Sequence, residues 1–225
     1  MAISLMDDRI TYVSAPKCAC SALKMYFFHV EHGRPWRPYR RLGRKVSIHR
    51  VYPSRPFTAG LTRAAAEHFR IAVVRDPVAR LVSTFVNKVA SGLLAANAFV
   101  RAALAALGAS ARPGFEEFVA RLGLYRRVSP MIDQHARPMV DFLGSDAGWY
   151  DHIVDISDID TIDAVVRARV TRGSLPARIH RKNESAAGDK PAVAPDLRAR
   201  ITGLYKADVD AFGHIYKPAL QPASA

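Results

Sequence analysis

The sequence predicts an α/β domain of three layers, a mainly parallel central sheet flanked by helices, and three observations carry that expectation. Short apolar runs alternate with helical patterns along the chain. One run, "FRIAVVRD" (Phe69 to Asp76), is almost continuously apolar, as a central parallel strand buried on both faces must be. The 225 residues, 49% of them hydrophobic, suffice for one domain with a sizeable core.

The elements follow in order. Ile10 to Val13 reads as a short buried strand, and Ser21 to Val30 as the helix after it. "RPWRPYRRLGRK" (Arg34 to Lys45) reads as a Pro- and Arg-rich loop, and "KVSIH" (Lys45 to His49) as a second strand. After the Phe69 run, Asp76 is placed to cap a helix that has Pro77 at its first position. That helix runs to about Val89, with Val78, Leu81, Val82 and Phe85 on one face and Arg80, Ser83, Thr84 and Asn87 off it. Leu93 to Leu107 and Phe115 to Leu122 are further helices. "HIVDI" (His152 to Ile156) is a late strand with a helix from about Asp158, and Asp196 to Phe212 makes a last amphipathic helix. Ala186 to Pro195, rich in Gly, Ala and Pro, is expected to be mobile.

Composition narrows the function. No apolar run reaches the roughly 18–20 residues a membrane span needs. The N-terminus, with Asp7 and Asp8, lacks the basic-then-apolar order of a signal peptide, so a cytoplasmic protein is expected. Both cysteines sit in "KCAC", two residues apart, where an unstrained disulfide is poorly placed. No histidines accompany them at metal-ligand spacing, and no metal is expected. The net charge of +13 implies either a solvated basic surface or an acidic partner. No aromatic-interleaved basic stripe supports a nucleic-acid partner, and none is expected. An anionic membrane surface is a candidate peripheral contact.

Two stretches carry chemistry. In "YVSAPKCACSALK" (Tyr12 to Lys24) a strand ends at Pro16 and Lys17, passes through small residues and enters a helix. Such a junction presents unpaired N–H groups at the positive end of a helix dipole and suits a phosphate. It is not a Walker A loop, because "GxxxxGK[ST]" is absent. Taken alone, it also fits an ordinary strand-to-helix turn with a solvated lysine. In "VVRDPVARLVSTFVNK" (Val73 to Lys88), Arg75 ends a buried strand, where an unpaired arginine is costly, and Ser83 follows eight residues later. Ligands collect at the C-terminal ends of strands in such sheets, so Lys17 and Arg75 are expected to flank one crevice. Two phosphate sites there suit a nucleotide phosphorylated at two positions.

These stretches resemble the 5′-phosphosulfate loop and the 3′-phosphate motif of sulfotransferases that use 3′-phosphoadenosine 5′-phosphosulfate (PAPS). More narrowly they resemble the carbohydrate sulfotransferase family that includes the chondroitin and dermatan 4-O-sulfotransferases. "FEEFVARL" (Phe115 to Leu122), "DQHARPM" (Asp133 to Met139), "YDHIVDISDID" (Tyr150 to Asp160) and "LYKADVDAFGH" (Leu204 to His214) follow in the family's order. The likeness therefore covers most of the chain.

The resemblance implies the P-loop-like PAPS sulfotransferase fold over residues 1–225. Its nucleotide-binding core would lie at about 8–90 and 150–217, with a helical acceptor-side insertion at about 91–149. It implies transfer of a sulfuryl group to a hydroxyl of a glycan, glycolipid or other acceptor. Lys17 and the loop residues Cys18, Ala19, Cys20, Ser21 and Ala22 would hold the 5′-phosphosulfate, with Lys24 one turn further on. Arg75 and Ser83 would hold the 3′-phosphate. His49, between the two motifs, is the first choice for the base, and His135 in "DQHARP" the rival, either as base or as acceptor contact, with Asp133 and Arg137 shaping the same pocket. Arg181 and Lys182 in "RIHRKNES" would belong to a basic lid. Ala136 stands where the family has tryptophan, which bears on the acceptor. The later cysteines and the Golgi anchor of animal members are missing, which suggests a cytosolic, bacterial member. The competing readings are a nucleotide-dependent kinase, which should show a Walker A sequence and a metal aspartate, and a non-catalytic polyanion-binding module.

Overall fold

The computed structural model describes residues 2–171, 175–180 and 191–217. Arg181, Lys182 and Ala186 to Lys190 lie outside the described residues. The chain begins with β1 (Ile3–Leu5), β2 (Ile10–Val13), α1 (Cys20–His32), β3 (Tyr39–Arg41), β4 (Arg44–Val46), α2 (Ile48–Val51), α3 (Ala59–Ala64) and β5 (Phe69–Val74). It continues with α4 (Pro77–Thr84), α5 (Leu93–Ala96), α6 (Ala98–Ala106), α7 (Phe115–Ala120), α8 (Leu122–Val128), α9 (Pro130–Ala136) and α10 (Val140–Leu143). It closes with β6 (His152–Asp155), α11 (Asp160–Arg167), α12 (Pro195–Leu204) and α13 (Lys206–Phe212). This is the expected α/β fold with a mostly parallel central sheet flanked by helices. Two compact units divide it: residues 2–75, 139–171, 175–180 and 211–217 in the first, and residues 76–138 and 191–210 in the second.

The first unit holds the sheet, in the order β1-β2-β5-β6. β1 runs antiparallel to β2, while β2 with β5 and β5 with β6 are parallel. Tyr12 lies opposite Ile71 and Val13 opposite Ala72, so β2 and β5 finish side by side. The chain leaves β2 at Ser14 and β5 at Arg75 on the same edge of the sheet. Beneath that edge Tyr12 stacks on Phe27 of α1 at 5.1 Å, and Ile71, Val74, Ile162 and Val166 are buried in the same core. Burying each such side chain contributes about 1.5–3 kcal/mol. The Tyr26 hydroxyl donates to Asp163 at 2.7 Å and ties α1 to α11. Burial pushes that phenol's pKa well up, with the Asp163 bond and charge adding to it.

Several expectations are corrected in this unit. β1 has no signature in the sequence, because three residues are too few for a periodic signal. The Arg34 to Lys45 stretch is not all loop: β3 and β4 pair antiparallel as a separate two-stranded sheet. Its arginines and short strands hide the alternation that would announce a hairpin. The strand expected at Lys45 to His49 ends at Val46 and does not join the central sheet. Ser47 is extended and Ile48 is buried, so the chain turns into α2 and His49 is helical.

The second unit is helical. Asp76 caps α4 as expected, its side chain accepting from the Ala79 N–H at 2.8 Å, with Pro77 at the start. The π-helical turn Phe85–Ala90 prolongs α4, and the helical stretch Pro77–Ala96 is long and apolar enough by composition to span a membrane. That departs from the expectation that no such run exists. Its Val78, Leu81, Val82, Phe85, Val89 and Leu94 are core residues, packed with Phe115, Phe118, Tyr125 and Ile201. The helix expected over Leu93 to Leu107 breaks at Asn97, whose side chain accepts from the Val100 N–H at 3.1 Å. The Phe115 helix continues past Leu122 as α8, and the last helix breaks at Tyr205. Arg80 and Thr84, expected off the apolar face, are both buried.

Candidate active site

The loop from Ser14 to Ala19 is backbone built for an anion. Lys17 and Ala19 have φ of 68° and 52°, in the left-handed region that non-glycine residues avoid, whereas Cys18 between them does not. Each such residue costs about 1–2 kcal/mol. An alternation of φ sign over three residues turns N–H groups to one side, as in the concave nests that bind phosphates and other anions, while the Cys18 N–H donates within the loop to the Ala15 carbonyl at 3.4 Å. Ala19 is also the cap of α1, and Leu23 makes the first helical bond, to Ala19 C=O at 3.1 Å. The amides of Cys20, Ser21 and Ala22 precede that bond and point out of the helix at its positive end. Cys18 and Cys20 form no disulfide and are both buried, and the Cys18 thiol meets the Pro16 carbonyl at 3.8 Å and Met139 Sδ at 3.5 Å. Their small size lets the loop close over the sheet edge.

Arg75 meets this loop. Its Nη1 donates to the Lys17 carbonyl at 3.2 Å. The structure therefore joins Lys17 and Arg75 at one edge of the sheet. The guanidinium is half-buried.

Lys24 is placed otherwise than a surface phosphate ligand. It is fully buried one turn into α1, and its Nζ donates to Ser54 Oγ at 2.8 Å and approaches His49 Nδ1 at 3.4 Å. Burial lowers its pKa, partly offset by Cys20 nearby. Ser54 Oγ is also 2.8 Å from Ser14 Oγ, at the start of the loop. On its other edge His49 Nε2 is 2.8 Å from Ser21 Oγ. A lysine ammonium has only hydrogens to offer, so Nδ1 accepts and the neutral ring carries its proton on Nε2. His49 then donates to Ser21 Oγ and presents an N–H beside the nest. Neither Ser14 nor Ser54 was singled out from sequence, because forty residues separate them and no motif spans the gap.

The remaining candidates lie in the second unit. Ser83 is on α4 and half-buried. His135 is on α9, and its Nδ1 is 2.8 Å from the Met131 carbonyl. A carbonyl only accepts, so Nδ1 carries the proton and Nε2 is the basic nitrogen of the neutral ring. Arg80 Nη2 donates to the carbonyls of Arg137 at 2.6 Å and His135 at 3.4 Å, and Thr84 Oγ1 donates to His135 at 3.1 Å. A buried arginine thus holds the C-terminal end of α9 and fixes where His135 stands. Asp133 binds Arg126 at 3.0 Å and Arg137. Burial raises its pKa, but the two guanidiniums outweigh that and hold the carboxyl below its usual range. Ala136 is buried, with its carbonyl accepting from Tyr205 at 2.6 Å. Among the described residues no group of three or more His, Cys, Asp or Glu side chains could hold a metal ion.

Residues 3–217 match the family model described as the sulfotransferase family, nearly the whole chain, so the chain belongs to that family. No curated protein and no solved structure matches it.

Proposed function

We propose that this member of the sulfotransferase family moves a sulfuryl group from PAPS to a hydroxyl of a carbohydrate or glycoconjugate. The observation that carries the reading is the nest at Lys17 to Ala19, joined by the Arg75 bond to the end of β5. Strained non-glycine residues persist where a ligand gives them work, and an anion is what converging amides bind. PAPS supplies the activated sulfuryl group and a phosphate leaving group.

The chain's own residues divide the remaining tasks. The amides of Ala19 to Ala22 and the Ser21 hydroxyl bind the 5′ end. Lys17 neutralises the charge that grows on the bridging oxygen, where preorganised cations and amides act most strongly. Arg75 takes the 3′-phosphate, and Ser83 is assigned to the same group from its place in the motif. His49, with its proton on Nε2, donates to a sulfuryl oxygen or to Ser21 rather than accepting a proton. His135 is the rival base on the strength of its motif alone, as a histidine can take a proton near neutral pH.

Calorimetry in EDTA tests the reading with the doubly phosphorylated product, 3′-phosphoadenosine 5′-phosphate (PAP), against AMP. PAP is expected to bind at least tenfold tighter, roughly the worth of one charge-assisted bond of about 1.5–3 kcal/mol. Arg75→Ala should weaken PAP far more than AMP, with a smaller loss on AMP from the bond that Arg75 gives the Lys17 carbonyl. Equal affinities in the unsubstituted protein would sink the two-phosphate site. A panel of glycans and lipid extracts with labelled PAPS then identifies the acceptor.

A further inference from the structure

The hairpin β3–β4 has no part in the transfer reading, and its geometry is at odds with a merely solvated loop. Tyr39 pairs with Val46 and Arg41 with Arg44, leaving Leu42 and Gly43 as a two-residue turn. Both have positive φ, 49° and 73°. This is the type I′ pattern, in which Asn-Gly is the favoured pair and a leucine is strained. Leu42 is also 95% exposed. Arg40, Arg41, Arg44 and Lys45 around it are all exposed, and no acidic residue occurs from Arg34 to Ala66. Behind the tip, Trp36 packs edge-on against Phe28 at 5.0 Å and Tyr39 against Trp36 at 5.7 Å. A cavity of about 500 Å³ lined by these aromatics and by Arg34 and Arg37 adjoins them.

We propose that this hairpin is a docking finger for an anionic phospholipid bilayer, with Leu42 entering the acyl boundary and the flanking cations on lipid phosphates. Charge alone would suit a nucleic acid or an acidic polysaccharide equally. Neither offers an apolar medium for a side chain that is strained and stripped of contacts. A neutral bilayer accepts the leucine but gives the cations nothing. Only an anionic bilayer uses both, and the aromatic pair at the base matches the residue types that settle at headgroup level.

The test is flotation of the full chain with vesicles of phosphatidylcholine alone or doped with phosphatidylglycerol. Binding is expected to the doped vesicles only, and salt should release it. Arg41→Gln with Arg44→Gln should weaken it by about 25-fold, from roughly fivefold per cation near the surface. Leu42→Asn should weaken it by about tenfold or more. That variant improves the turn, so its melting temperature should not fall, and misfolding is excluded as the cause of lost binding. Its PAP affinity should be unchanged, which separates this surface from the transfer site. If Leu42→Asn binds vesicles as the unsubstituted protein does, or heparin binds while vesicles do not, the hairpin is a polyanion site and the proposal is wrong.

Discussion

Lys24→Met distinguishes a residue that holds phosphate from one that holds His49. The ammonium is buried and its partners are Ser54 Oγ at 2.8 Å and His49 Nδ1 at 3.4 Å. A hydrogen bond from a charged donor contributes about 1.5–3 kcal/mol, and the longer contact belongs at the low end. Losing about 1.5 kcal/mol of orientation at His49 corresponds to roughly a tenfold fall in kcat. PAP affinity should change less than about twofold, because the ammonium bonds Ser54 and His49 rather than standing among the loop amides. The pH profile adds a readout that packing alone would not move. Burial lowers the Lys24 pKa below that of a surface lysine, so its proton leaves at a lower pH. Turnover should fall as pH rises through that lowered value, and Lys24→Met should lack this alkaline limb. Lys24→Gln, which keeps an N–H donor without charge, should recover most of the turnover and also lack the limb. PAP release from PAPS over the acceptor panel measures kcat, and calorimetry measures PAP affinity. If Lys24→Met instead loses tenfold or more in PAP affinity at constant kcat, the lysine is a phosphate ligand and the positioning argument is wrong.

Two further predictions concern strain and pH. Lys17→Ala and Lys17→Gly should both lose turnover far more than PAP affinity, because the charge matters most in the transition state. The glycine variant should be the more stable of the two by about 1 kcal/mol, since it relieves the left-handed φ of 68°. Burial raises Tyr205 from 10.0 to about 12, against the pull of Arg80 and Arg126. A neutral phenol favoured by the fold contributes stability that is full below pH 10 and lost between pH 10 and 12. The difference of about 2 units is worth about 3 kcal/mol at most. Urea melts should show Tyr205→Phe less stable at pH 7 by about 1 kcal/mol, for the lost bond to Ala136, with that deficit closing or reversing by pH 11.

The sheet and the first motif were legible because apolar continuity and small residues are local signals. Phe69 to Val74 could be nothing but a buried strand, and Asp76-Pro77 announced the helix after it. The network at Lys24 was not legible: Ser14, Ser54 and His49 converge only after the chain has crossed the hairpin and α2. Placing His49 on a strand failed because Ile48 needed burial more than Lys45 to His49 needed pairing. The sequence places Arg80 off the apolar face, because an arginine rarely goes inside. Here two backbone carbonyls at the end of α9 receive it, and Tyr205 lies under the guanidinium at 6.0 Å. Arg80 and Thr84, four residues apart and so on one face of the helix, are the signal that could have pointed to it.

Strain separates the functional stretches from the merely basic ones. Among the described residues the non-glycine positions with positive φ are Arg9, Lys17, Ala19 and Leu42. Arg9 has a structural reason: it closes the turn between β1 and β2, its N–H donating to Met6 at 3.3 Å and its carbonyl accepting from Phe69 at 2.6 Å. Lys17 and Ala19 have a site as theirs, since relaxing either would disperse the amides that the nest gathers. Leu42 has neither: its neighbours supply no packing, and asparagine would turn the chain with less strain. A residue that is locally wrong for both its backbone and its exposure is explained by what it meets outside the chain. Leu42→Asn therefore asks a single question, whether the leucine serves the fold or a partner, because it improves the first and removes the second.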